Sequence, residues 1–184
     1  MGRKIVVTSG KGGVGKTTAS LGIAIAETGK KVVLVDADIG LNNLDVVLAV
    51  ENKVVYDVLD VISGKCRLKQ ALIQDVDNPT LYVLPSAKIQ DSPLITACSF
   101  RNVVDALALN FDFVIIDCPA GIDNGFHRAV SAATEAIVVT TPHISAVRDA
   151  DKVLSILSGY CLMSVGLVVN RVRGDMVSKG EMMS

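Results

Sequence analysis

The sequence predicts one α/β domain: a doubly wound, mostly parallel sheet with helices on both faces. Three observations carry this. Five short runs rich in Val and Ile punctuate the 184 residues, the stretches between them repeat apolar residues at helical spacing, and the groups that directly follow the runs are Gly-rich, acidic or amide-bearing. Short apolar runs of this kind suit strands buried on both faces, and the intervening stretches are long enough for the crossovers that parallel pairing requires.

In chain order, a strand is predicted over residues 4–8, followed by the segment Ser9-Gly10-Lys11-Gly12-Gly13-Val14-Gly15-Lys16-Thr17-Thr18 and a helix over 17–28. A second strand over 31–35 runs into Asp36-Ala37-Asp38. Residues 51–91 read as a less regular insertion with short helical and strand-like pieces. A helix over 96–109 leads to a strand over 113–116 ending at Asp117, then a helix over 124–133, a strand over 136–140 and a helix over 145–157. The last strand, 165–169, ends at Asn170-Arg171. Ligands of doubly wound sheets bind beyond the carboxyl ends of the strands, so these post-strand groups are expected to converge on one site.

Half of the residues are hydrophobic and a fifth are charged, enough for one well-buried core. A formal net charge of -1 gives no electrostatic reason for general nucleic-acid binding. No apolar stretch approaches the roughly 18 to 20 residues that span a bilayer, and Gly2-Arg3-Lys4 leads directly into a strand, so the chain reads as neither membrane-spanning nor secreted. Cys66, Cys98, Cys118 and Cys161 lack C-x-x-C spacing. That argues against a zinc site or a disulfide framework and points to reduced intracellular thiols.

The spacing G-x-x-x-x-G-K-T from Gly10 to Thr17, set between a strand and a helix, is that of a phosphate-binding loop. Gly10, Gly12, Gly13 and Gly15, with Val14 among them, let the backbone turn its N–H groups toward phosphate oxygens at the N-terminus of the next helix. Lys16 then reaches the β and γ phosphates, Thr17 holds Mg²⁺, and Thr18 belongs to the same cradle. A nucleotide with Mg²⁺ is implied by the loop, and ATP or ADP by the family that its pattern resembles. Lys11 is not needed to cradle phosphates, and by spacing alone it reads as a solvated lysine. Asp117, at the end of a buried strand, is placed as a Walker B carboxylate near Mg²⁺, or else as a simple turn-starting acid. Pro119-Ala120-Gly121 would be a switch segment beside it. Asp36 and Asp38 suit the metal's water shell and an attacking water, or equally a solvated acidic loop. Asn170 suits an adenine edge or a turn. His143 reads as a surface or capping residue, with no nucleophile paired to it.

The pattern K-G-G-x-G-K-T-T at Lys11 to Thr18 resembles the deviant Walker A box of the MinD/ParA group of P-loop ATPases. Similarity to the MinD branch extends over essentially the whole chain: Asp36-Ala37-Asp38-Ile39-Gly40-Leu41-x-Asn43-Leu44-Asp45, Val54 to Val58, Gln70 to Ile73, Leu81 to Pro85 and Ser145 to Asp151. The resemblance implies that Lys11 reaches across a nucleotide-sandwiched dimer to the partner's phosphates, acting with Lys16 and Asp38 in hydrolysis. It also implies that Asp38 lies nearest the hydrolytic water, that Thr17, Asp36 and Asp117 serve the metal, and that Asn170 contacts adenine. The stretch from Ser145 to Asp151 resembles the part of the family on which partners dock. His143 stands where many relatives carry an acid, so no role carries over to it.

The function implied is that of a Mg²⁺-dependent ATPase that forms an ATP-dependent homodimer. It would act in division-site selection by recruiting the septum inhibitor MinC to the membrane, with hydrolysis stimulated by MinE or a counterpart. The expected location is cytoplasmic, and peripheral on the inner face of the cell membrane when full-length and ATP-bound. Two other readings share the loop: a ParA-like partition ATPase that binds DNA, disfavoured by the charge balance, and a nonhydrolytic nucleotide-dependent scaffold. The resemblance implies further strands and helices and, as family members usually have, a short basic amphipathic helix at the end that lies in the membrane interface. This chain ends at Lys179-Gly180-Glu181-Met182-Met183-Ser184 without one, so the expectation is a C-terminally truncated piece, with lipid a partner of the full-length protein only.

Overall fold

The structure is a computed structural model that describes residues 1–26, 29–40, 43–88 and 92–178. In chain order the elements are β1 (Arg3–Thr8), α1 (Lys16–Ala26), β2 (Val32–Asp36), α2 (Asn43–Val47), α3 (Val58–Ile62), α4 (Leu68–Ala71), β3 (Ile73–Gln74) and β4 (Leu81–Leu84). They continue with α5 (Ala97–Ala108), β5 (Phe113–Asp117), α6 (Asn124–Ala132), β6 (Glu135–Thr140), α7 (Ile144–Leu157), β7 (Ser164–Val169) and α8 (Gly174–Ser178). Among the described residues the strands form one seven-stranded sheet in the order β3-β4-β2-β5-β1-β6-β7. Every neighbouring pair is parallel except β3 with β4. The doubly wound, mostly parallel sheet expected from the Val and Ile runs is therefore the observed fold.

Alternate residues of the central strands feed two hydrophobic layers. On one face Val6, Val33, Val35, Val114 and Ile116 pack with Phe100 and Leu107 of α5, Phe126 of α6 and Val153 of α7. On the other, Ile5, Val7, Leu34 and Ile115 pack with Ala24 of α1 and Leu44 of α2. At about 25 cal/mol per Å² of apolar area buried, these two layers are the dominant stabilising contribution. Local signals fix where helices start: Thr96 and Ser99 form a capping box on α5, and Asp57 with Asp60 does the same for α3.

One expectation is only sharpened, and another needs correction. The segment 51–91, read as a less regular insertion with short helical and strand-like pieces, holds α3, α4, β3 and β4, and β4 lies in the interior of the sheet, where Val32 to Val35 pair with Leu81 to Leu84. Four consecutive apolar residues are too short a run to separate a strand from a helical fragment, and the pairing partner lies about fifty residues away. The run at 165–169, read as a buried strand, is a strand exposed along its whole length, with Leu167 at 52%. It lies at the sheet edge, and no described helix covers it. The first helix begins at Lys16, and residues 27 and 28 of its predicted span lie outside the described residues. Residues 41 and 42 of the first switch and the terminal 179–184 lie outside them too. Among the described residues no helix is long and apolar enough to cross a membrane.

Candidate nucleotide site at the carboxyl ends of the strands

Parallel pairing brings the ends of β1, β2, β5 and β6 to one edge, and the predicted groups gather there. Between β1 and α1 the loop takes positive φ at Gly13 (74°) and Gly15 (102°), conformations that L side chains rarely adopt. Ser9 Oγ donates to the Lys11 carbonyl at 2.7 Å, and the Gly121 N–H donates to the Ser9 carbonyl at 3.2 Å, which ties the segment after β5 to the loop. Two glycines are needed for close approach. A Cβ on Gly10 would run into the backbone of Asp149 in α7, and one on Gly15 into the Asn170 amide. Val14 is buried, Lys16 is half-buried, and Lys11, Gly12 and Thr18 are exposed.

Register places Asp36 directly beside Asp117 at the ends of neighbouring strands. Both are buried. Thr17 Oγ1 donates to Asp117 Oδ2 at 2.6 Å, and Ser20 Oγ donates to Oδ1 at 3.1 Å. Burial raises the Asp117 pKa above the usual carboxylate range, while the Thr17 and Ser20 hydrogen bonds and the positive charge of Lys16 pull it back. Asp36 accepts from the backbone N–H of Asp38 at 2.9 Å and of Leu44 at 3.2 Å. Burial nevertheless pushes its pKa up to about 7, with the charges of Asp117 and Asp38 acting in the same direction. Burial also pushes the adjacent Cys118 thiol up to about 12, which leaves it protonated and inert as a nucleophile at neutral pH.

Two adjoining, desolvated carboxylates with a hydroxyl on one of them make a region that favours a hard cation. Among the described residues no three His, Cys, Asp or Glu side chains assemble into a protein-only metal cage. This fits Mg²⁺, which takes most of its octahedral shell from phosphate oxygens and water. Thr17, Asp117 and Asp36 are the residues that would hold it, directly or through water.

Asp38 sits past the end of β2, on a groove of about 920 Å³ that it shares with Pro119, Ala120 and Asp123. Asn170, at the end of β7, donates through Nδ2 to the Val14 carbonyl at 2.9 Å and accepts the Arg171 N–H at 2.8 Å. Its amide is thus joined to the phosphate loop. His143 stands at the N-cap of α7 without a side-chain cap hydrogen bond. Beyond it Ile144 (61% exposed), Val147 and Arg148 face outward on the first turns of the helix. Sequence reasoning missed Ser20. The available signal was its position three residues after Thr17, which puts both hydroxyls on one side of α1.

Residues 2–159 match the family model described as AAA domain. The chain is 51% identical over 186 residues to the putative septum site-determining protein MinD of Guillardia theta, spanning all of this chain and 69% of that relative. The chain belongs to the MinD family. MinD from the MinC:MinD cell division protein complex of Aquifex aeolicus superposes with a TM-score of 0.86 at 42% identity, over 99% of this chain and 74% of that one. The septum site-determining protein MinD of Pyrococcus horikoshii OT3, solved with Mg-ADP, superposes at 0.80 with 34% identity, over 97% of this chain and 77% of that one. The MinD fold thus supplies the strand ends on which the loop, Asp36, Asp38, Asp117 and Asn170 of this chain converge.

Proposed function

We propose that this chain is a Mg²⁺-dependent ATPase that dimerises on ATP and acts in division-site selection by recruiting MinC to the membrane. The observation that carries the reading is the contrast between the two lysines of one loop. Lys16 is half-buried at the first position of α1 and acts electrostatically on Asp117, as a group that serves its own subunit's phosphates would. Lys11 is exposed on the outer turn, free to serve phosphates held by a second copy. The MinD relationship supports the cellular role, and the solved MinC:MinD complex of Aquifex aeolicus supports MinC as the partner.

In this mechanism the N–H groups of residues 12–18 bind the phosphates, and Lys16 neutralises the β and γ groups. Mg²⁺, when bound, supplies further charge neutralisation there. Asp38 orients the attacking water, helped by the turn that its N–H makes with Asp36. Lys11 of each subunit adds positive charge at the other's γ phosphate, where charge develops during transfer. Asn170 holds the adenine edge while staying joined to the loop. The outward residues Ile144, Val147 and Arg148 of α7 provide the docking face for MinC, and MinE or a counterpart stimulates hydrolysis.

Analytical sedimentation with ATP, ADP and no nucleotide tests this. The unaltered chain is expected to sediment as a dimer with ATP alone. Lys11→Ala is expected to keep nucleotide affinity within about threefold and remain monomeric, whereas Lys16→Ala loses affinity by about a hundredfold, as removal of a charged hydrogen bond does. Dimerisation of Lys11→Ala equal to that of the unaltered chain would remove the in-trans role.

A further inference from the structure

A second cavity adjoins the Asp38 groove along α6 and shares Asn124, His127 and Arg128 with it. It has a volume of about 430 Å³, and its polar lining is Asn124, His127, Arg128, Ser131 and Tyr160, with no Asp or Glu. Arg128 is half-buried, and no ion pair of the described residues includes it. Its Nε is fully buried without a hydrogen-bond partner, and its NH1 group reaches only the Ile95 carbonyl, at 3.4 Å. A partly desolvated guanidinium normally gains a carboxylate or an oxyanion, because removing a charge from water without a counter-charge is costly. Here the described residues supply none in an ion pair. Asp123 lines the neighbouring groove, which Arg128 also borders, and it makes no ion pair with Arg128.

The surroundings favour an anion from several directions. His127 stacks on the Tyr160 ring, its Nδ1 meets the Tyr160 hydroxyl, and its ring makes a T-shaped contact with Phe126. The bond between Nδ1 and the hydroxyl uses one proton of the pair and leaves the other N–H or O–H for the cavity. Arg101 donates through Nε to the Ser131 carbonyl at 2.9 Å and brings a second guanidinium close to the same wall. An amide, an imidazole, a phenol, a hydroxyl and a guanidinium around one space suit a group with oxygens in several directions, which a tetrahedral phosphoryl group has and a planar carboxylate lacks.

We propose that the Arg128 cavity is a phosphoryl-binding site distinct from the phosphate loop, with Arg128 as its anchor and the hydrogen-bonded Tyr160–His127 pair as a supporting donor. The site is built on α6, which starts three residues after Gly121 of the switch segment, so an occupant touches the helix that leads from that segment.

Inorganic phosphate is the probe. The chain is saturated with Mg-ADP to fill the nucleotide site, and phosphate is titrated at constant ionic strength while heat and the Arg Nε–H resonances are followed. Saturable binding is expected, with one Arg Nε–H signal shifting. Arg128→Gln is expected to weaken it about tenfold or more, as loss of a charge-assisted hydrogen bond does. Tyr160→Phe, which keeps the stacked ring, weakens it several-fold and carries the test if Arg128→Gln does not fold. No saturable binding, or affinity unchanged in both variants, would overturn the site. Acetate competing as well as phosphate would overturn the phosphoryl assignment.

Discussion

Thr17 and Ser20 stand one turn apart on α1, and each hydroxyl takes one oxygen of Asp117. The motif makes Thr17 legible because its spacing from Gly10 and Lys16 is fixed by phosphate chemistry. Ser20 was not legible, because a serine in an apolar helix gains meaning only when its partner, 97 residues away, arrives beside it. Removing its hydroxyl leaves a buried carboxylate oxygen without a donor. Ser20→Ala is therefore expected to destabilise the protein by about 1–3 kcal/mol in denaturant titration. It should also shrink the gain in nucleotide affinity that Mg²⁺ confers, while affinity measured without Mg²⁺ stays the same. Ser20→Thr keeps the hydroxyl and should restore that gain. An unaltered Mg²⁺ dependence in Ser20→Ala would show that Thr17 alone positions Asp117.

The phosphate loop is held from outside by elements that come much later in the chain. Gly10 lies against the backbone of α7, and Gly15 lies under the Asn170 amide at the end of β7. The loop's shape thus depends on where α7 and β7 pack, as well as on its own glycines. Gly10→Ala is expected to push the loop off α7, costing about 1–3 kcal/mol by overpacking and weakening nucleotide binding with it. Denaturant titration paired with a fluorescent-nucleotide titration checks this, and unchanged values in both would show that the contact yields freely. Elements with long, regular patterns were legible: α5, α6 and α7 lie within a residue of their expected spans. The short β4 was not, since its four residues become a strand only through pairing with β2. The exposure of β7 was not legible either, because an apolar run reads the same at the edge of a sheet as in its interior.

Across the whole molecule, placing β2 beside β5 brings two carboxylates together in the core, and this has a consequence for folding. The folded chain holds a proton on Asp36 up to about pH 7, whereas the unfolded carboxyl releases it near its ordinary value of 3.8. The folded state therefore binds more protons across that interval, and stability falls as pH rises through it. The raised pKa of Asp117 acts in the same sense. Thermal unfolding without nucleotide or Mg²⁺ is expected to show a midpoint that drops between about pH 5 and pH 7.5, and Asp36→Asn should flatten that drop and raise the midpoint at pH 7.5. A slope identical in the variant would place the linkage elsewhere. By itself the sequence determined the fold class, the phosphate loop and the acids that follow the strands, because strand periodicity and loop spacing are local properties of neighbouring residues. Only the tertiary structure decided that β4 lies inside the sheet, that Ser20 shares Asp117 with Thr17, that Asn170 is joined to the loop, and that Arg128 meets no counter-charge among the described residues. Each of these depends on distant segments meeting, and burial gives a polar group its cost or its partner only after they have met.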